Sequence, residues 1–178
     1  MAIPATGAQD RRSRLLAAAT EVFAREGLDA PVPSIAAEAG VGIGTVYREF
    51  ASKEELIAAL AVERLDWFEE ETRRALAEPE PGAAFFALLR RAAERQACDH
   101  VAGAALAATS GDAQVRAARA RVERGMGRLL RAAREQGAVR PSVTPGDIRL
   151  VFTALRGVTA EGGDWRRALE ILLAGLGA

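Results

Sequence analysis

The sequence is poor in the residue types that carry most enzyme chemistry. It has one cysteine, Cys98, and one histidine, His100, among 178 residues. A single thiol excludes an intrachain disulfide framework. One Cys and one His cannot furnish a structural zinc site of the usual kind. Cys98-Asp99-His100 is also a poor nucleophile–base pair, because adjacent residues rarely reach the required geometry. No apolar run approaches the roughly 18 residues that cross a bilayer. Met1 to Asp10 has neither a basic n-region nor an apolar h-region, so no signal peptide is expected and a cytoplasmic location follows by exclusion. Alternation with period two and β-branched runs are missing, which leaves no candidate strand. Gly40-x-Gly42-x-Gly44 is therefore not a dinucleotide fingerprint, which needs a preceding strand. No cofactor and no metal are expected.

Charge of one sign is missing too. There are 24 cationic and 24 acidic residues, for a formal net charge of zero. Nucleic-acid binding usually leaves a basic footprint. The front of the chain does not supply one: Met1 to Ser52 holds Arg11, Arg12, Arg14, Arg25 and Arg48 against Asp10, Glu21, Glu26, Asp29, Glu38 and Glu49. Any DNA contact must use local geometry. Within this composition Lys53 is the only lysine and Tyr47 the only tyrosine. Two departures from habit so close together mark that stretch for close reading.

What is present is helix. The apolar period stays near 3.6 residues along the chain. A first helix is expected from about Arg12 to Glu26, with Leu15, Ala19, Val22 and Phe23 on one face and Gly27 as a left-handed cap. A short helix follows at about Pro33 to Ala39, stopped by Gly40, and another at Ile43 to Phe50. Ser52-Lys53-Glu54-Glu55 has the form of a capping box and opens a long helix to about Ala77. Pro81 suits the first turn of a helix over Gly82 to Ala97. A weaker apolar segment covers Val101 to Thr109. Gly111 and Asp112 open a helix to about Gln136, with Val115, Ala118, Val122, Met126, Leu129 and Ala133 on one face. Thr144-Pro145-Gly146-Asp147 begins the next, which buries Ile148, Val151, Phe152 and Leu155. The last helix presents Trp165, Leu169, Leu172 and Leu176.

The informative segment is Ser34 to Phe50. Two short helices meet at a turn over Gly40 to Gly42, with Ile35 and Ala36 inward, Val41 in the turn, and Val46 and Phe50 as anchors. That is the pattern of a helix-turn-helix, whose second helix offers an outer face to a groove. Leu16-Ala-Ala-Ala-Thr-Glu-Val-Phe23, Gly27, Ile35-Ala36, Ala39-Gly40-Val41, Gly44-Thr45-Val46-Tyr47, Phe50 and Ser52-Lys53-Glu54 together resemble the DNA-binding domain of TetR-family regulators. The resemblance covers about the first 60 residues.

The resemblance implies an all-α fold. Residues 1–55 would form a three-helix DNA-binding domain with the helix-turn-helix, and residues 56–178 a helical effector-binding and dimerisation domain. It implies a ligand-responsive transcriptional regulator, in most of the family a repressor, that binds a near-palindromic double-stranded operator as a homodimer through its last two helices. Gly42, Gly44 and Thr45 would approach the major groove. The Tyr47 hydroxyl would meet a phosphate, and Arg48 a phosphate or base edge. Lys53, at the first turn of the fourth helix, would meet another phosphate together with exposed backbone N–H groups. Arg11, Arg12 and Arg14 would flank the DNA backbone. Pro31 departs from the family, which often has a Ser or Thr cap there that can also bond phosphate; Ser34 is the substitute at hand. An effector pocket among helices four to seven would draw on Trp67, Phe68, Phe86, His100 and Met126.

Plainer readings stand beside these. Tyr47 alone is a half-buried aromatic with a hydrated hydroxyl, Lys53 a solvated charge, and the aromatics ordinary core. Two other function classes also remain. An enzyme with an all-helical pocket would need a nucleophile–base pair or a metal pattern that the chain lacks. A helical protein–protein adaptor that has lost DNA binding would suit the neutral charge and Pro31.

Overall fold

A computed structural model describes residues 7–178; the reading of Met1 to Asp10 falls mostly outside the described residues. Among the described residues the chain is all-α, with α1 (Gly7–Glu26), α2 (Val32–Glu38), α3 (Ile43–Glu49), α4 (Lys53–Leu76), α5 (Pro81–Cys98), α6 (His100–Ala108), α7 (Ala113–Glu135), α8 (Pro145–Ala160) and α9 (Trp165–Ala174). Contacts divide the chain into two compact units. One takes the residues up to Arg64 together with His100–Arg116; the other is Leu65–Asp99 with Ala117–Ala178.

In the first unit, α1 begins before Arg12, because the polar residues ahead of its apolar stripe are themselves good helix formers. Its inner face buries Leu15, Ala19, Val22 and Phe23. Gly27 ends it, donating its N–H to the Phe23 carbonyl at 2.9 Å. Pro31, with extended backbone and no side-chain cap, precedes α2, which starts at Val32 instead of Pro33. At the end of α2, Gly40 takes φ +65°. Its N–H meets the Ala37 carbonyl at 3.1 Å and the Val41 N–H meets that of Ala36 at 3.0 Å. This is a Schellman turn, and its left-handed residue favours glycine. It redirects the chain into α3, which drops Val46 and then Phe50 into the same core as Ile35 and Leu56, all nearly fully buried. The segment Val101 to Thr109 proves to be helical as α6, which buries Val101, Ala102 and Ala105 and packs against α1. Its signal was weak because alanine supplies most of its inner face.

In the second unit, α5, α7, α8 and α9 share one core through Phe85, Leu88, Leu89, Leu129, Leu130, Ile148, Val151, Leu155, Leu169 and Leu173. Gly82 is fixed by a close approach: its N–H donates to Gln136 Oε1 at 2.7 Å, and an added Cβ would collide with Ala138. Thr144 and Asp147 form the expected reciprocal capping box at α8. The Thr144 hydroxyl and then its backbone N–H hold the Asp147 carboxyl below its usual value. The C-terminus pairs back on the chain, with an antiparallel bridge between Val139 and Gly177 and the Arg140 N–H on the Leu176 carbonyl at 3.0 Å.

One expectation changes here. Ile148, Val151, Leu155, Leu169 and Leu176, on the last two helices through which a homodimer is expected, are buried within the single chain. The packing of α5, α8 and α9 on one another covers them. What α8 and α9 leave outside is Leu150, 66% exposed, and Ile171, 58% exposed.

Candidate DNA-binding interface and effector site

The outer face of α3 is built by subtraction. Val46 and Phe50 hold the helix and its end in the core. Residues one helical step away must then face solvent. Gly42 precedes α3 as its N-cap, extended, with no side-chain cap bond. Gly42 and Gly44 are exposed and Thr45 is half-buried. Tyr47 is 48% exposed, with Ile43 beside it one turn earlier at 44%. Of the expected DNA-facing residues, the structure brings Gly42, Gly44, Thr45, Tyr47 and Arg48 onto this one element. Ile43 was missing from that set. Spacing alone does not reveal it, because Ile43 stands three residues before Val46 and seven before Phe50 and so reads as part of their buried stripe.

The cations around α3 divide into two groups, and this explains how a neutral chain presents positive charge. Arg11 donates to Glu49 Oε1 at 3.2 Å. Arg12 donates to the Glu49 carbonyl at 3.3 Å and stacks over the Phe50 ring at 4.4 Å. Arg14 pairs with Asp10, and Arg25 with Glu38 at 2.8 Å. Arg25 thus braces α1 against α2, and Arg11 and Arg12 brace it against the end of α3, while the Arg14 pair lies within α1. Arg48 and Lys53, by contrast, pair with no carboxylate among the described residues. Arg48 instead donates to the Thr45 hydroxyl at 2.9 Å. The local field is therefore set by Arg48 and Lys53, and formal charge counting over the whole segment hides it.

The start of α4 differs in one respect from the expected phosphate seat. The Glu55 N–H donates to Ser52 Oγ at 3.1 Å, and Glu55 reaches back to accept the Ala51 N–H at 2.7 Å. The Glu54 carboxyl is held below its usual value, first by its own backbone N–H and then by the Ser52 hydroxyl. The amides of Ala51, Glu54 and Glu55 thus already have partners.

These residues, in this order on this fold, match a known family along most of the chain. The family model for bacterial regulatory proteins of the tetR family matches residues 15–60. That for the SbtR-like transcriptional regulator C-terminal domain matches residues 80–178. The chain belongs to the TetR family of transcriptional regulators. A TetR regulator from Mycobacterium vanbaalenii is 31% identical, with 96% of this chain and 97% of that one aligned at a TM-score of 0.66. Another from Streptomyces coelicolor is 30% identical over 93% and 98% of the two chains, at 0.67. SmeT, the repressor of the Stenotrophomonas maltophilia multidrug efflux pump SmeDEF, shares the fold at 24% identity, covering 98% and 92% at 0.69. The TetR-family helix-turn-helix of this chain is thus α2 and α3.

The residues expected to line an effector pocket are only partly gathered. In the second unit, Trp67 meets Phe68 edge-on at 6.2 Å, and Phe68 meets Phe152 likewise at 6.3 Å. Arg95 lies over the Trp67 ring at 4.6 Å, and Gln96 donates to the Phe152 carbonyl at 3.0 Å. Sequence reading placed Phe152 in the core and passed over Arg95 and Gln96. Phe86 packs edge-on against Phe85 at 5.3 Å, and Met126 is buried in the core. His100 is exposed and belongs to the first unit, apart from the other four. A separate open groove of about 300 Å³ is lined by Ala75, Ala84 and Ala87 with Arg74, Glu78 and Arg91; none of the five lines it. Among the described residues no cluster of three or more His, Cys, Asp or Glu could hold a metal ion, and no helix is long and apolar enough to cross a membrane.

Proposed function

We propose that this TetR-family chain is a ligand-responsive transcriptional repressor of the cytoplasm, without enzymatic activity, that binds a near-palindromic operator as a homodimer. Residues 1–55 serve DNA binding and residues 56–178 serve effector binding and dimerisation. The observation that carries the reading is the α3 face. Tyr47 stands exposed there, Arg48 and Lys53 form no ion pair among the described residues, and Gly42 and Gly44 leave the backbone open to a close approach. Tyr47 and Lys53 contact phosphates, Arg48 reaches a phosphate or base edge, and Thr45 approaches the groove. Arg11 and Arg12 serve mainly to brace α3, with phosphate contact open only to the outer edge of Arg11.

The dimer forms through the outer faces of α8 and α9, where Leu150 and Ile171 lie bare in the single chain. Two exposed large aliphatic side chains on adjacent helices are unusual enough to favour a covered surface. The effector is a small molecule held near Trp67, Phe68 and Phe152, in the unit whose core also takes Phe86 and Met126. Its binding shifts the population between DNA-competent and incompetent states. α4 is the mechanical candidate, because it is one continuous helix from Lys53 to Leu76, so a tilt at its far end moves Lys53.

Fluorescence anisotropy tests the reading, using the duplex upstream of the chain's own gene, a scrambled duplex and two salt concentrations. Tight, sequence-preferring and salt-sensitive binding is expected. If neither that duplex nor a genome-wide pool gives a preferred site, the repressor reading falls and a protein–protein adaptor replaces it.

A further inference from the structure

Only four large hydrophobic side chains are exposed among the described residues, and two of them, Ile43 and Tyr47, stand one turn apart on the seven-residue α3. Tyr47 has a polar end to justify its place. Ile43 has none. A branched aliphatic residue at the exposed first position of a short helix gains nothing in helix propensity, and at 44% exposure much of its apolar surface is left in water.

The residues on either side are as informative. Gly42 has φ −73°, and neither Gly42 nor Gly44 has a positive φ. An added Cβ at either would meet no atom within 4 Å. Neither conformation nor internal packing requires glycine there. Gly44 within a helix costs about 1 kcal/mol relative to alanine. Glycines unexplained from inside are explained from outside, by a surface that the backbone must approach closely. Ile43 then projects from a bare stretch of backbone, with no side chain immediately before or after it to screen it.

We infer that Ile43 reads sequence through apolar contact with the C5-methyl group of a thymine in the major groove. The inference rests on the DNA-binding reading above and goes further by naming the base. The α3 face is continuous with the DNA-binding helix-turn-helix, so its occupant is the groove floor. The thymine methyl is the apolar group that the major groove presents. The glycines offer no side-chain hydrogen bonds to base edges, and the Thr45 hydroxyl, which accepts from Arg48, keeps its O–H to donate. Ile43 is the side chain at the start of α3 whose only readout is apolar contact, and it is the specificity-determining residue for the thymine.

The test uses the full chain and the duplex it selects from a random pool. Each thymine of the half-site is replaced in turn by deoxyuridine, which keeps pairing and removes only the methyl. At one thymine per half-site the affinity is expected to fall about fourfold, the worth of one buried methyl. In Ile43→Ala the thymine and deoxyuridine duplexes should bind equally at that position. Three outcomes overturn the inference while leaving DNA binding intact: a selected half-site without thymine, no deoxyuridine effect at any position, or the same effect in Ile43→Ala. Failure to select any duplex removes the DNA-binding reading itself, and this inference with it.

Discussion

Two pairs of exposed aliphatic or aromatic side chains can be set against each other: Ile43 and Tyr47 on α3, and Leu150 and Ile171 on α8 and α9. Each pair lies on the outside of helices whose opposite faces are fully buried. Their surroundings differ. Around α3 lie two glycines with open space, and Arg48 and Lys53 pair with no carboxylate among the described residues. On the α8–α9 surface Arg149 pairs with Glu123, Arg90 with Glu170 and Arg166 stacks on Trp165, while Arg156 donates to the Thr153 hydroxyl. Charge therefore does not separate the two surfaces; the bare backbone does. The first, a short helix between exposed glycines, suits a groove that admits a helix. The second spans two longer helices and suits a second copy of the chain. Exposure alone does not name the partner; the backbone and elements around it do.

The largest effect should come from crossing the line between core and surface. Leu169 is 4% exposed within the core of the second unit. Leu169→Arg places an unpaired charge there and should cost about 3–5 kcal/mol, enough to unfold this unit at ordinary temperature, as circular dichroism would show. Leu150→Arg and Ile171→Arg change residues that already face solvent. Each should leave the melting curve of the single chain nearly unchanged and convert the dimer to a monomer by light scattering. Operator affinity should then drop by about a hundredfold or more, because the second half-site is no longer tethered. If the Leu150 and Ile171 variants remain dimeric, the two exposed pairs do not divide as argued.

On α3 the effects should be smaller and leave the fold and dimer intact. Tyr47→Phe removes one hydroxyl. A hydrogen bond to a charged oxygen is worth about 1.5–3 kcal/mol, so affinity should fall about tenfold or more. Unchanged affinity would take Tyr47 off the phosphate list. Lys53→Ala should weaken binding about uniformly across sequences and lower the salt slope by roughly one per subunit. A loss confined to one sequence would instead make Lys53 a base reader.

The two regions were not equally legible in the sequence. The helix-turn-helix could be read because its parts are close in the chain. Gly40, Val46 and Phe50 fix the path within a dozen residues, and the position of Tyr47 follows from theirs. Ile43 is not legible as a surface residue, because it is apolar and its spacing to Val46 and Phe50 is that of one buried stripe. The second unit could be read as helices but not as a site. Trp67, Phe152 and Arg95 come from α4, α8 and α5, and no local pattern says that their faces converge. The family resemblance puts His100 and Phe68 in one expected pocket, yet they belong to different compact units. The same limit explains Leu169. An apolar stripe shows that a face is covered, but not whether the cover is the same chain or another.

The smallest test concerns the start of α4, where helix capping and phosphate binding compete for the same amides. Ser52 Oγ accepts the Glu55 N–H, so Ser52→Ala should lower thermal stability by about 1 kcal/mol, as loss of an N-cap does. Its effect on DNA distinguishes two ways of holding a phosphate. If the Lys53 ammonium is the donor, operator affinity of the folded Ser52→Ala protein should stay within about twofold of the parent, since a factor of two is well under 1 kcal/mol. If the helix start itself holds the phosphate through freed N–H groups, losing the competing hydroxyl should tighten binding. The Lys53→Ala, Ser52→Ala double variant would then recover part of what Lys53→Ala loses. If the Lys53 ammonium is the donor, freeing the Glu55 N–H from Ser52 brings no recovery, and the double variant binds no better than Lys53→Ala.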